Sequence, residues 1–88
     1  MTSPIDLSGT ETALAEYDRT QAQRDEMFNA CKTNADVALW QEAERTARVA
    51  VTRVFVSETR NSPDKADIIG LEFVRTILGK WQRGEIRE

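Results

Sequence analysis

The stretch that decides the fold is Ser62–Arg83, SPDKADIIGLEFVRTILGKWQR. Its serine followed by proline is a typical helix start. With residues placed 100° apart, the apolar side chains cover roughly 200° of arc, about twice the stripe of a helix that packs on one layer. This wide face consists of Ala66, Ile69, Leu71, Phe73, Val74, Ile77, Leu78 and Trp81. The stretch therefore predicts a helix over 63–83 that is buried by two partners or by a second copy of the chain.

Two longer helices are predicted before this stretch. Ser8-Gly9-Thr10-Glu11 has the spacing of a capping box, and neither Gly nor Pro follows until after Lys32. Thr33-Asn34-Ala35-Asp36 repeats the pattern at the start of the next helix. Because the turn is short, the helices 8–32 and 35–60 are expected to be antiparallel. Their seam is expected to contain Leu14, Tyr17, Met27 and Phe28 against Leu39, Trp40, Ala43, Ala47, Val51 and Val54.

The segment Val49–Val56 is β-branched and also fits a strand by propensity. We interpret it as helix because residues 41–48 run into it without a breaker and no partner strand is evident. In a helix, Val49 and Val56 lie seven residues apart on the side away from the seam, with Phe55 beside them. This second stripe predicts a further neighbour, and we expect it to contact an outside protein.

These elements predict an all-α fold, a long antiparallel helical hairpin with a third helix packed across it. Residues 1–7 are expected to form an N-terminal arm, 8–83 a single helical domain and 84–88 a charged tail. A chain of 88 residues has a small core, which oligomerisation often stabilises. We therefore expect a helical-bundle homodimer with two-fold symmetry. The wide face of the third helix supplies its expected interface residues, which are Ile69, Phe73, Ile77 and Trp81.

The composition argues against catalysis. The chain has no His, so it lacks the commonest general base and a usual zinc ligand. The single Cys31 has no His to activate it and no second Cys for a disulfide within the chain. No Gly-rich phosphate loop follows a strand. We predict a protein that is not an enzyme and has no catalytic, cofactor-binding or metal site.

Localisation is expected to be cytoplasmic. The first fifteen residues contain no Lys or Arg, unlike a signal peptide. No apolar run approaches the roughly 20 residues that cross a membrane, so no membrane association is predicted. An unpaired Cys31 fits a reducing compartment. Nine Arg against three Lys is a composition associated with GC-rich bacterial genomes.

Arg24 lies at the centre of the apolar face of the first helix, where a cation needs a partner. In an antiparallel hairpin that turns near Thr33, Arg24 lies opposite Glu44. The pattern admits an anion-binding or catalytic arginine. It favours a structural ion pair that fixes the register, with Gln21 beside it.

The leading hypothesis is a non-catalytic protein-interaction module, a small adaptor, inhibitor or assembly factor that acts through helix surfaces. Its expected partners are itself and an unidentified protein. The alternative is a nucleic-acid-binding regulator that uses the basic end of the third helix, formed by Arg75, Lys80, Arg83 and Arg87. Cations at a helix C-terminus also offset the macrodipole, and the chain carries a formal net charge of −3. Phosphate contacts would make binding collapse with salt, whereas an apolar groove would not.

Overall fold

The computed structural model describes residues 5–86, and over this range the chain is all-helical, with no strand. The predicted all-α class is thereby confirmed, and the segment Val49–Val56 is helix. Positions 1–4 of the predicted arm, positions 87 and 88 of the predicted tail and the candidate Arg87 lie outside the described residues. The elements are α1 (Ser8–Arg19), α2 (Gln21–Ala30), α3 (Asn34–Glu58), a 3₁₀ helix (Pro63–Asp67) and α4 (Leu71–Gln82).

The contacts of α1 and α2 with α3 run antiparallel. Thr10 bonds to Glu58 near one end of α3, and Arg24 bonds to Glu44 nearer the other end. Phe28 packs on Trp40 farther along. The start of α1 therefore contacts the end of α3, and α2 contacts the first half of α3.

The first predicted helix, 8–32, is wrong as one continuous element, because it is interrupted at Thr20. In an uninterrupted helix the Tyr17 carbonyl accepts from the amide four residues later. Here it accepts from Arg24 Nη2 at 2.8 Å and from Thr20 Oγ1 at 3.2 Å. Side chains that enter the backbone ladder in this way break or bend a helix.

The third predicted helix, 63–83, is also divided. Pro63 begins a 3₁₀ helix as its position predicts, but the chain then leaves helical geometry, and α4 starts only after the extended Gly70. The 3₁₀ helix is held on α3 by Thr52 Oγ1, which donates to the Ala66 carbonyl at 2.7 Å. The wide apolar face is thus divided among the 3₁₀ helix, the residues after it and α4, and all of it except Phe73 is buried or half-buried within the chain.

The core lies between α1, α3, the 3₁₀ helix and α4. Its buried members are Leu7, Leu14, Val51, Phe55, Val56, Ala66, Val74 and Leu78. Residues 5–7, predicted to be part of an arm, pack here, because Leu7 is fully buried. Trp81 Nε1 donates to the Ile5 carbonyl at 2.9 Å, which joins the start of the chain to α4.

The predicted capping box at Ser8–Glu11 does not form, because a distant carboxylate caps α1. Glu58, the last residue of α3, accepts from the amides of Gly9 and Thr10 at 3.0 and 2.7 Å. It also accepts from Thr10 Oγ1 at 2.6 Å. A carboxylate at this position satisfies free amides and complements the positive end of the helix dipole.

The capping box predicted at the start of the next helix does form. Thr33 accepts from the Asp36 amide at 3.1 Å, and Asp36 accepts from the Thr33 amide. The Asp36 carboxylate also accepts from the Lys32 amide at 3.0 Å, and this bond is the main reason why its pKa lies below the ordinary value. The sequence thus predicts the start of α3 to within a residue of Asn34.

The molecule is elongated, with principal extents of 55 × 25 × 15 Å and a radius of gyration of 15.1 Å. A compact chain of this length has a radius of gyration of about 12 Å. The 3₁₀ helix and α4 pack on α3, whereas α2 packs on α3 and meets α1. We call residues 21–44, which comprise α2, the turn after it and the first eleven residues of α3, the tip. The tip consists of two packed helices, whereas the 3₁₀ helix and α4 add a third layer to the rest of the molecule.

Candidate functional site

Large apolar side chains are exposed at the tip. The exposed fractions are 40% for Met27, 56% for Phe28, 38% for Val37 and 65% for Leu39. Two antiparallel helices bury only the stripes that face each other, so apolar residues on their flanks stay in water unless another element covers them. Met27 and Leu39 are predicted seam residues that the structure places on a flank, whereas Phe28 packs on its predicted seam partner Trp40.

The tip has a shallow groove along one flank. Met27 and Ala30 from α2 and Asp36 and Leu39 from α3 line it, and its volume is about 210 Å³. We call it the tip groove. Elsewhere in the tip the Phe28 and Trp40 rings pack with centroids 4.9 Å apart and planes tilted by 58°. That aromatic pair ties α2 to α3.

Acidic residues dominate the tip. Residues 21–44 contain two basic and five acidic side chains, a formal charge of −3. The remaining residues contain ten of each sign, so they are neutral as a group. The whole formal charge of the protein therefore lies in the tip.

The base of the tip is fixed by Arg24, which is buried. Its Nε donates to Glu44 Oε1 at 2.9 Å, the pair predicted from sequence, and its Nη1 donates to Thr20 Oγ1 at 2.5 Å. Gln21 contacts both members of the pair at 3.3 and 3.4 Å. The guanidinium carbon lies 4.3 Å from the centroid of the Tyr17 ring. These partners engage the guanidinium within the chain, in the arrangement of a structural ion pair.

Tyr17 completes this cluster. Its hydroxyl donates to Glu44 Oε2 at 3.2 Å. Burial is the largest cause that raises the Tyr17 pKa above its ordinary value, and the negative charge of Glu44 adds to it. The phenol therefore stays protonated and donates to Glu44 throughout the physiological range.

The predicted contact stripe on α3 is not available to an outside protein. Val49, Phe55 and Val56 are buried inside the chain, which corrects the expectation that they face outward. The further neighbour that the stripe needs is supplied by the chain itself, because the 3₁₀ helix packs on α3. Phe55 also meets the Phe73 ring edge-on, with centroids 6.0 Å apart.

The predicted dimer-interface residues have different environments. Ile69, Ile77 and Trp81 are half-buried and pack against the core of their own chain. Phe73 is 53% exposed, and the neighbouring Ile68, which the sequence analysis did not select, is 79% exposed. We call Ile68 and Phe73 the α4 patch.

The predicted nucleic-acid contacts do not form a free basic surface. Arg75 donates to both oxygens of Asp18 at 3.0 and 2.5 Å, and Arg83 donates to Glu85. The Arg75 guanidinium holds the pKa of Asp18 below its ordinary value. Lys80 is exposed. Two of the three described cations therefore have carboxylate partners within the chain.

Sequence reasoning missed the tip groove because it assigned two of the groove residues, Met27 and Leu39, to the seam. A usable signal was present, since positions 27, 28, 37 and 39 place apolar residues on two sides of each of these helices. Glu58 as a helix cap also carried no local signal, because its partners Gly9 and Thr10 are 49 and 48 residues away.

No group of three or more His, Cys, Asp or Glu side chains among residues 5–86 is arranged to hold a metal ion. Within the same range, none of the helices combines the length and the apolar character needed to cross a membrane. Comparison of the chain with models of protein families, with curated proteins and with solved structures finds no match.

Proposed function

We propose that this protein is a non-catalytic protein-interaction module and that the tip is its docking surface. The observation that carries this proposal is the exposure of four large apolar side chains, Met27, Phe28, Val37 and Leu39, where the molecule is only two helices thick. Clusters of exposed apolar residues on small proteins mark interaction sites. An adaptor, an inhibitor or an assembly factor would use such a surface.

The energetics of the tip support docking by a helix. Full burial of one large apolar side chain contributes up to about 1.5–3 kcal/mol. Two such groups, the part-exposed Met27 and Leu39, line the tip groove together. A helix laid along α2 and α3 would complete the third layer that the 3₁₀ helix and α4 provide elsewhere. The Arg24 cluster keeps the base of the tip in one arrangement, which lowers the ordering cost of binding.

The experiment that tests the proposal compares two serine substitutions of exposed apolar residues. Leu39→Ser removes apolar surface from the tip, and Ile68→Ser removes it from the α4 patch at the other side of the core. Both side chains are largely exposed, so both variants should fold. A partner captured from the host and quantified by mass spectrometry should be lost with Leu39→Ser and kept with Ile68→Ser. Equal capture by both variants would contradict the proposal.

We also propose that the protein forms a homodimer through the α4 patch. The support is Ile68 and Phe73, which stay exposed next to half-buried Ile77.

The antiparallel contacts of α3 support description of the monomer as a helical hairpin with a shorter third helix across one end. The lone Cys31 supports the proposed cytoplasmic location.

The contacts support protein binding over the nucleic-acid alternative. Arg75 and Arg83 form ion pairs with Asp18 and Glu85. The tip, which has the most exposed apolar surface, is acidic and would repel phosphates. A salt titration separates the two functions, because nucleic-acid binding falls steeply with salt.

A further inference from the structure

We infer that the partner of the tip is an amphipathic helix of about three turns whose apolar face is bordered by Lys or Arg. This inference rests on the proposed function and adds the chemistry of the occupant. The observations behind it are the residues that border the tip groove, the charge of the tip and its length.

Helix spacing places one further acidic residue beside a groove residue on each of the two helices. Glu26 lies four residues, about one turn, before the groove residue Ala30 on α2, and Glu42 lies three residues after the groove residue Leu39 on α3. Residues three or four apart on a helix share a face. Both glutamates are exposed, and among residues 5–86 neither makes an ion pair. A helix seated in the groove would therefore meet a carboxylate along each edge.

The other acidic groups of the tip are already engaged. Glu44 is paired with Arg24, Asp25 accepts from Gln21 at 3.0 Å, and Asp36 caps α3. The free charges of the tip are thus those of Glu26 and Glu42 and of Lys32, which is exposed in the turn between α2 and α3, and their sum is negative. Lys or Arg on the flanks of a partner helix would match this charge, which favours association and orientation.

The same charge disfavours a second copy as the occupant. Two tips packed together would each bring a formal charge of −3 to the contact, and Glu26 and Glu42 of one copy would approach carboxylates of the other. Like charges placed opposite one another oppose association. The neutral remainder of the chain, which contains the α4 patch, has no such barrier to self-association.

The length of the tip sets the length of the occupant. α2 has 10 residues, which span about 15 Å at 1.5 Å per residue. A partner helix that follows it makes about three turns. Its apolar residues would recur at i, i+3, i+4 and i+7, which is the spacing of a helix that docks in a groove.

The test uses three synthetic 14-residue helical peptides with the same leucine positions. Their flanking positions carry Lys, Gln or Glu, and their binding is measured by fluorescence anisotropy at low and moderate salt. From the strength of partly exposed ion pairs, the Lys peptide should bind about tenfold more tightly than the Glu peptide, and the difference should shrink with salt. The double variant Glu26→Gln/Glu42→Gln should lose about fivefold for the Lys peptide and nothing for the Gln peptide.

A charge-matched control removes two carboxylates away from the tip. Asp64→Asn/Glu72→Gln should bind all three peptides as the wild type does, and Leu39→Ser should weaken all three. Equal binding of the Lys and Glu peptides, both sensitive to Leu39→Ser, would overturn the charge inference and leave the docking proposal standing. Binding of none of the peptides would overturn both. If the wild type self-associates and Leu39→Ser abolishes that association, the occupant of the groove is a second copy and not a basic helix.

Discussion

At the scale of single residues, Gly9 leaves room for the contact that joins the start of α1 to the end of α3. A Cβ added at Gly9 would lie 2.4 Å from Glu58 Oε2, closer than atoms of this kind approach. The carboxylate would have to move, although it accepts from the Gly9 and Thr10 amides and from the Thr10 hydroxyl. Thr10 is fully buried, so its polar groups would lose their partner without gaining water.

Gly9→Ala should therefore destabilise the protein by about 1–2 kcal/mol, the usual cost of losing a helix cap. Urea denaturation followed by circular dichroism measures the loss. Glu58→Ala should cost a similar amount, and the double variant should cost clearly less than the two losses added together, because both remove the same contact. Additive losses, or a Gly9→Ala variant as stable as the wild type, would contradict this account of α1.

The Arg24–Glu44 ion pair and the Glu58 cap of α1 differ in how well the sequence predicts them. Arg24 and Glu44 lie at similar distances from the predicted turn, so the antiparallel register alone places them opposite each other. Glu58 lies at the end of α3, and its partner is a helix N-terminus that presents amides and no matching side chain. Side-chain patterns do not show a backbone partner, and the local pattern Ser8–Glu11 suggested a different cap.

At the scale of helices, Asp18 and Arg75 join α1 to α4 across 57 residues of sequence. The pKa of Asp18 is lowered from its ordinary value of 3.8, chiefly by its hydrogen bonds to Arg75. A carboxyl group with a lowered pKa in the folded state stabilises that state above its ordinary pKa. This stabilisation is lost as the pH falls through the lowered value.

Asp18→Asn should therefore reduce stability at pH 7 by a few tenths of a kcal/mol, because the side chains are 45% and 50% exposed and solvent screens the pair. The difference from the wild type should shrink as the pH falls below about 4. Thermal unfolding from pH 7 to pH 2.5 measures both effects. Asp64→Asn, which removes one charge outside any ion pair of the described residues, should not reproduce the profile. A constant difference at every pH would rule out the ion pair as its cause.

The helix breaks show where reasoning from sequence ends. The start of α3 follows from the local pattern Thr33-Asn34-Ala35-Asp36, which the structure uses as a capping box. The break at Thr20 depends on the buried Arg24, which reaches back to the Tyr17 carbonyl, and no Gly or Pro marks the site. The break before α4 lies at the extended Gly70, and the bond between Thr52 and Ala66 holds the segment before it on α3. Neither tertiary contact is visible in the residue pattern of a single helix.

At the scale of the whole molecule, the dimer and the docking surface use different parts of the chain. Ile68→Asp should leave the monomer folded, because Ile68 is 79% exposed, and should abolish self-association through the α4 patch. Light scattering over a hundredfold range of concentration measures the molar mass of both proteins. The wild type should give twice the chain mass of 10.0 kDa, and the variant should give the chain mass. A wild-type monomer at every concentration would refute the dimer and leave the tip proposal intact.

The elongated shape relates these surfaces to one another. The 25 residues of α3 span about 37 Å, whereas the 12 residues of α4 span about 18 Å, so α4 covers only part of α3. The buried core lies where α4 and the 3₁₀ helix pack, and the tip extends beyond them. Charge divides the molecule in the same way, into an acidic tip and a neutral remainder.

The central claim is that the tip is a docking surface. Photo-crosslinking in the host from two positions tests this claim most directly. A photoreactive amino acid replaces Leu39 in one protein and Ile68 in the other, because both positions are exposed and neither is in the core. The account predicts that position 39 crosslinks to a different protein, and that the site of attachment lies in a helix with basic flanks. Position 68 should crosslink only to a second copy. Crosslinks to the same proteins from both positions, or none from position 39, would contradict the account.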